Sequence, residues 1–125
     1  MNTLALIIED DEDLAEIFSK ALTKLGYETE KILDGQKALD RLKGVVPQLV
    51  VLDLNLPRVS GEKILTSIRA DQRFDETFVI VSSAEDRKAE GTREDADIVL
   101  IKPVSYHQLG ELAARLYGKQ RRGHR

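Results

Sequence analysis

Short apolar runs without polar alternation recur along the chain and predict buried strands. Four of them cover residues 4–8, 49–52, 78–81 and 98–101. Because neither face of these runs is polar, each is typical of a strand that is covered on both sides, as in a parallel sheet. A fifth extended segment, 27–32, carries interspersed charges, which favours an edge strand because charge deters unwanted pairing.

Helical spacing of apolar residues fills the intervals between the strands. The first predicted helix starts near Asp13, ends at Gly26 as a C-terminal cap, and carries an apolar stripe of Leu14, Ile17, Phe18, Ala21, Leu22 and Leu25. Further helices are predicted over 35–43, over 61–70 and after Ser105, where Gln108 completes a capping-box pattern. The alternation of strands and helices predicts an α/β fold with a doubly wound parallel sheet.

The connection between the fourth and fifth strands departs from this pattern. Over residues 85–95, Ala89 is the only apolar side chain, and Gly91 lies in mid-segment, where glycine weakens a helix by about 1 kcal/mol. We therefore expect the fourth helix to be short or poorly ordered.

Composition narrows the function classes. The chain has 125 residues, 42% hydrophobic and 33% charged, and no cysteine, so we expect one globular domain without disulfides or cysteine-ligated metals. A net charge of −3 gives no general attraction to nucleic acid. No apolar run is long enough to cross a membrane, and a cytoplasmic location is expected. Residues 1–118 are assigned to the domain and 119–125 to a basic tail or the start of a linker.

Polar residues follow four of the predicted strands. Glu9 and Asp10 follow the first, Asp53 the third, Ser83 the fourth and Lys102 the fifth. Each alone has an ordinary structural explanation as a helix-dipole partner, a turn or a loop residue. In a parallel sheet, however, all of them lie along one edge, which is where ligands bind in open α/β folds.

Such a cluster of carboxylates needs a counter-charge. Two carboxylates about 4 Å apart repel each other by roughly 4 kcal/mol at an effective dielectric constant of 20, and oxygen ligands suit a hard cation such as Mg²⁺. A carboxylate is also a nucleophile toward phosphoryl groups. Lys102 and the Ser83 hydroxyl would then hold the oxygens of the new phosphate.

These stretches together resemble the receiver domain of two-component response regulators, over residues 3 to 118. The resemblance is carried by Leu6-Ile7-Ile8-Glu9-Asp10-Asp11-Glu12, by the run from Val50 to Gly61 around Asp53, by Val79-Ile80-Val81-Ser82-Ser83-Ala84, and by Ile101-Lys102-Pro103. It implies a flavodoxin-like sheet with strand order 2-1-3-4-5.

The resemblance also implies a role for each acidic residue. Asp53 would be the phosphoacceptor and a Mg²⁺ ligand. Asp10 would bind Mg²⁺ directly, Glu9 would assist through water, and Asn55 would add its backbone carbonyl. Asp11 is an alternative member of the acidic pair, but Glu9 and Asp10 directly follow the apolar strand.

Ser83 and Lys102 would contact the phosphoryl group, and the Lys102–Pro103 peptide is expected to be cis. One position departs from the family pattern: Val99 stands where an aromatic residue usually precedes the lysine by three positions. The usual serine–aromatic switch, and an output surface that includes the fourth helix, are therefore in question.

The resemblance implies a phosphorylation-controlled interaction module that catalyses at most its own phosphotransfer and autodephosphorylation. Its partners would be a sensor histidine kinase or phosphotransfer protein and a downstream protein or effector domain, with the chain a monomer or weak dimer. A receiver-like binding module that works without phosphorylation is the alternative. A phosphatase with an aspartyl nucleophile is remote, because its Asp-x-Asp pattern follows the first strand, whereas here the third strand carries Asp53-x-Asn55.

Overall fold

A computed structural model describes residues 3–121 and contains one sheet of five parallel strands. The strands are β1 (Leu4–Ile8), β2 (Glu28–Ile32), β3 (Leu49–Asp53), β4 (Phe78–Ser83) and β5 (Ile98–Ile101). Their order is β2-β1-β3-β4-β5, which confirms the predicted doubly wound, flavodoxin-like fold. The charged strand β2 lies at an edge, as its sequence predicts.

Five helices connect and follow the strands. They are α1 (Glu12–Leu25), α2 (Gly35–Leu42), α3 (Gly61–Ala70), α4 (Asp86–Glu90) and α5 (Tyr106–Leu116), and a 3-10 turn at Gln72–Phe74 was not predicted. Asp11 caps α1 by accepting a hydrogen bond from the Leu14 amide, and Gly26 ends it with φ of 110°, a conformation that favours glycine. Ser105 caps α5 at the Gln108 amide.

Two hydrophobic cores lie on opposite faces of the sheet, because successive side chains of a strand point to opposite sides. One core, which includes Ile7 and Val51, packs against α1 and α5. The other, which includes Leu6 and Val50, packs against α2 and α3. The predicted stripe of α1 is wrong at one position, since Ile17 is 42% exposed and lies at the margin of the buried face.

Helix α4 has only five residues, so the predicted short fourth helix is confirmed. Two side chains anchor this segment: Ala89 and Thr92 are buried, and the Thr92 hydroxyl donates a 2.7 Å hydrogen bond to the Ala89 carbonyl. Among residues 3–121, no helix combines the length and the apolar composition needed to cross a bilayer.

The amino ends of β4 and β5 carry an ionic cluster that sequence reasoning missed. One carboxylate oxygen of Asp97 forms an ion pair with Arg69 at 3.0 Å, and the other forms an ion pair with Arg121 at 2.7 Å. Asp97 also accepts a hydrogen bond from the Val79 amide. The side chain of Arg121 is only 7% exposed. The expected tail, 119–125, therefore contains a residue, Arg121, that packs on the domain; residues 122–125 lie outside the described residues, and the boundary at 118 stays a prediction.

We predict that Asp97→Ala lowers the free energy of unfolding by about 3 kcal/mol, because it leaves two largely buried guanidinium groups without their carboxylate. Chemical denaturation monitored by circular dichroism measures this change. The matched control is Glu90→Ala, which removes an exposed ion pair to Arg93 and should change the stability by less than about 0.5 kcal/mol. Equal effects of the two substitutions would contradict a special role for Asp97.

Candidate functional site

The carboxyl ends of β1 and β3 bring three acidic residues together. One carboxylate oxygen from each of Glu9, Asp10 and Asp53 lies within 4.8 Å of the other two. These two strands are neighbours in the sheet, so residues distant in the chain meet at one point. Glu9 is 1% exposed and Asp53 is 2% exposed, whereas Asp10 faces solvent. The site is thus an acidic pocket with two buried walls and one open side.

Lys102 joins this pocket from the end of β5. Its Nζ lies 3.0 Å from Glu9 Oε1 and 3.4 Å from Asp53 Oδ1, with its side chain 23% exposed. The Lys102 amide donates a 2.7 Å hydrogen bond to the Ser83 carbonyl, and the Lys102–Pro103 peptide is cis, as expected. One ammonium group therefore bridges two buried carboxylates.

Burial contributes to the pKa shifts of Glu9, Asp53 and Lys102. Loss of solvent and the nearby Asp53 charge raise the pKa of Glu9 to about 7, and burial likewise raises the pKa of Asp53 against the opposing effect of Lys102. Burial by itself would lower the pKa of Lys102, but its contacts with Glu9 and Asp53 outweigh burial and raise that pKa. The pocket therefore carries more negative charge than its surroundings can easily stabilise.

The loop after β3 holds Asp53 in place. The Asn55 amide donates a 3.2 Å hydrogen bond to Asp53 Oδ1, and the Gly61 amide bonds the Leu54 carbonyl. A Cβ at Gly61 would lie 2.2 Å from the Asp53 carbonyl oxygen, so only glycine allows α3 to start this close to the end of β3. The tight approach fixes the backbone that carries the carboxylate.

The two serines that end β4 differ in their bonding. The Ser83 hydroxyl exchanges hydrogen bonds with the backbone of Glu85, accepting from its amide at 3.0 Å. Ser82 pairs in register with Asp53, and its buried hydroxyl has no hydrogen bond among residues 3–121. The Ser83 hydroxyl could therefore donate to a ligand by giving up its 3.3 Å bond to the Glu85 carbonyl, while the Ser82 hydroxyl lies buried without a hydrogen bond among residues 3–121.

The acidic pocket fits a hard divalent cation. Glu9 Oε1 is buried and is paired with Lys102 at 3.0 Å, but the same ammonium group is shared with Asp53. Its neighbours are further carboxylate oxygens, which is the donor set that Mg²⁺ prefers. A cation would supply the positive charge that Lys102 alone does not.

One residue near the pocket was missed by sequence reasoning. Lys88 on α4 donates a 3.0 Å hydrogen bond to Asn55 Oδ1 and pairs with Glu85 at 3.1 Å. In the sequence it is one charge among many in a polar segment, and no local signal distinguishes it from Arg87. Asp11, the alternative acidic residue, caps α1 instead and uses its own amide to bond Glu9 Oε2 at 3.2 Å.

Comparison with protein-family models gives a match to the response regulator receiver domain over residues 5–114. The fold, the acidic pocket and the lysine at the end of β5 agree with this match. The chain belongs to the receiver domain family of two-component response regulators, which is a family of signalling domains.

Similar proteins agree with this assignment. The chain is 33% identical over 117 residues to the uncharacterized transcriptional regulatory protein YrkP of Bacillus subtilis, covering 94% of this chain and 49% of YrkP. It is 35% identical over 121 residues to the sensory transduction protein RegX3 of Mycobacterium tuberculosis, covering 97% and 52%. The chain thus spans about half the length of these relatives. The BeF3-activated DrrB receiver domain of Thermotoga maritima superposes with a TM-score of 0.83 at 26% identity, covering 95% of this chain and all of that one.

We predict an inverse dependence of stability on pH when a chelator removes divalent cations. The folded-state pKa of Glu9 is about 7 against an ordinary 4.5, so the folded state holds more protons in this interval than the unfolded state. The free energy of unfolding should therefore fall as the pH rises from 4.5 to 7.

Urea titrations across this interval measure the slope, and Glu9→Gln should flatten it because the amide does not titrate. Carboxylates whose pKa is lowered, such as Glu16 and Glu30, have the opposite effect near the lower end of this interval, so the slope over its upper part is the diagnostic one. A wild-type stability that rises through the interval, or a Glu9→Gln variant with the wild-type slope, would contradict the prediction.

Proposed function

We propose that this receiver domain accepts a phosphoryl group on Asp53 in a Mg²⁺-dependent reaction. The observation that supports this most directly is the position of Lys102 between two buried carboxylates, Glu9 and Asp53. A structural ion pair needs one carboxylate for each ammonium group. A second buried carboxylate, with a third nearby, is unfavourable for stability and is explained by a ligand that brings positive charge and phosphate oxygens.

In the proposed reaction, a phosphoryl group is transferred from an oxygen or nitrogen atom of a donor to Asp53. A carboxylate oxygen of Asp53 attacks the phosphorus of the donor, an O–P bond forms, and the donor leaves with the electron pair of the broken bond. Lys102 then moves its ammonium group onto a phosphoryl oxygen. The Ser83 hydroxyl gives up its bond to Glu85 and donates to another.

Mg²⁺ would be held by the carboxylates of Asp10 and Asp53 and by the backbone carbonyl of Asn55, with Glu9 assisting through water. When bound, it would neutralise negative charge on the phosphoryl group during transfer. The raised pKa of Glu9 supports this assignment, because it describes a buried carboxylate whose ion pair with Lys102 does not supply sufficient counter-charge.

We further propose that the domain works in the cytoplasm as the regulated part of a signalling protein. The phosphoryl group would come from a sensor histidine kinase or a phosphotransfer protein, and the output would be a protein interaction that depends on phosphorylation. YrkP and RegX3 are about twice as long as this chain, which supports an effector domain as the target of the signal. The domain itself would catalyse only its own phosphotransfer and autodephosphorylation.

A receiver-like module that binds its partner without phosphorylation is the second candidate. It is favoured by Val99, a small residue that packs against the second core in place of a mobile aromatic side chain. The short helix α4 also offers little surface. The cluster of three carboxylates with one shared lysine favours phosphorylation over this alternative.

We predict that Asp53→Asn abolishes labelling by a small phosphodonor such as acetyl phosphate in the presence of Mg²⁺, because the amide is not a nucleophile. Intact-mass spectrometry before and after incubation should show one added phosphoryl group on the wild type and none on the variant. Asp13→Asn, an exposed change in the first turn of α1, is the matched control and should label like the wild type.

Two results would contradict the proposal. Labelling of Asp53→Asn at the wild-type level would place the acceptor elsewhere. No labelling of the wild type, together with partner binding that Asp53→Asn leaves unchanged, would favour the phosphorylation-independent module.

A further inference from the structure

Helix α4 presents two neighbouring cations that differ in their surroundings. Lys88 reaches back over the loop after β3, where its Nζ lies 3.0 Å from Asn55 Oδ1 and 3.1 Å from Glu85 Oε2. The side chain of Arg87, the preceding residue, makes no hydrogen bond or ion pair with the part of the chain that the structure describes, and only its backbone carbonyl accepts a bond, from the Gly91 amide. The sequence therefore carries one cation directed toward the acidic pocket and one that is not.

Two hydrogen bonds link Lys88 to the proposed acceptor. The side chain of Asn55 accepts from Lys88, and the backbone amide of the same residue donates to Asp53 Oδ1 at 3.2 Å. The negative charge of Asp53 also reaches Lys88: it adds to the stronger effect of Glu85 in raising the pKa of the lysine. Lys88 is thus close enough to respond to a change of charge on Asp53.

The present partners of Lys88 hold it weakly. Its side chain is 41% exposed and that of Glu85 more so, and ion pairs in such surroundings contribute about 0–1 kcal/mol. A phosphoryl group on Asp53 would add negative charge and oxygen acceptors nearby. Lys102 is already shared between Glu9 and Asp53, and the three oxygens of a phosphoryl group offer acceptor sites beyond those that Lys102 and the proposed Mg²⁺ would use.

We propose that Lys88 is a second phosphoryl-binding lysine, which leaves Glu85 and donates to a phosphoryl oxygen on Asp53, drawing α4 toward the site. This inference rests on the phosphorylation of Asp53 proposed above. The flexible stem and compact ammonium group of lysine suit an exchange of partners of this kind.

The exchange would move backbone as well as side chain. Lys88 directly precedes Ala89, one of the two buried anchors of the α4 segment, and α4 is only five residues long. A displacement of Lys88 would therefore move the whole helix. This gives phosphorylation a route to the surface near β5 that does not depend on Val99.

Beryllofluoride with Mg²⁺ is the probe, since it mimics an aspartyl phosphate without a covalent bond. Titrations followed by fluorine NMR give its Kd for the full chain, and hydrogen exchange reports on residues 85–95. Lys88→Met should weaken binding by about five- to tenfold, the size expected for one charge-assisted hydrogen bond at a half-exposed site. It should also abolish the added protection of 85–95.

Arg87→Met is the matched control, with the same loss of charge one position away, and should bind the probe like the wild type. Lys88→Arg keeps a donor and should recover most of the affinity. Because Lys88 is exposed, the folding of each variant should be retained, which thermal unfolding checks.

The inference is overturned if Lys88→Met binds beryllofluoride as tightly as the wild type, or if Arg87→Met weakens binding equally, since that would be a general effect of helix charge. Failure of the proposed function has a different signature. In that case the wild type itself neither binds the probe nor gains a phosphoryl group, and the inference falls with it.

Discussion

Lys102 lies between the buried carboxylates of Glu9 and Asp53, and the arrangement of the sheet explains how it gets there. β5 is two strands away from β3, a distance of about 10 Å at the usual strand spacing. Only a long side chain spans this gap, and the residues that end the intervening strand, Ser82 and Ser83, are small enough to leave room. The pocket therefore depends on strand order, on side-chain length and on small residues at the end of β4.

The two ends of the sheet differ in how completely their buried carboxylates are compensated by positive charge. At the amino ends of β4 and β5, Asp97 uses both carboxylate oxygens, bonding two arginines and a backbone amide, so its charge is compensated. At the carboxyl ends, the buried carboxylates of Glu9 and Asp53 share one ammonium group, that of Lys102, and Asp10 adds a third carboxylate nearby. Buried charges with incomplete compensation are unfavourable for stability. The carboxylates with the least counter-charge therefore lie at the end of the sheet that carries the proposed phosphorylation site.

The sequence predicted the fold well because its strongest signals were local. Continuous apolar runs gave the four buried strands, and caps such as Gly26 and Ser105 gave helix ends. Ile17 was misplaced because helical spacing identifies a stripe but not its margin, which depends on what packs there. Asp97 with Arg121, and Lys88 with Asn55, were missed for a different reason: their partners are 24 and 33 positions away in the chain, and only the folded structure brings them together.

The structure also indicates how much free energy is needed to move helix α4 in response to a change at Asp53. A ligand shifts a conformational equilibrium only by the difference in its affinity for the two states. Helix α4 buries few side chains, chiefly Ala89 with the adjacent Thr92, so moving it exposes little apolar surface and requires little free energy. One new ion pair of about 1 kcal/mol changes such an equilibrium about fivefold. With the phosphorylation of Asp53 proposed above, a receiver domain with Val99 in place of an aromatic residue would respond through charge alone, provided that the helix being moved is as small as α4.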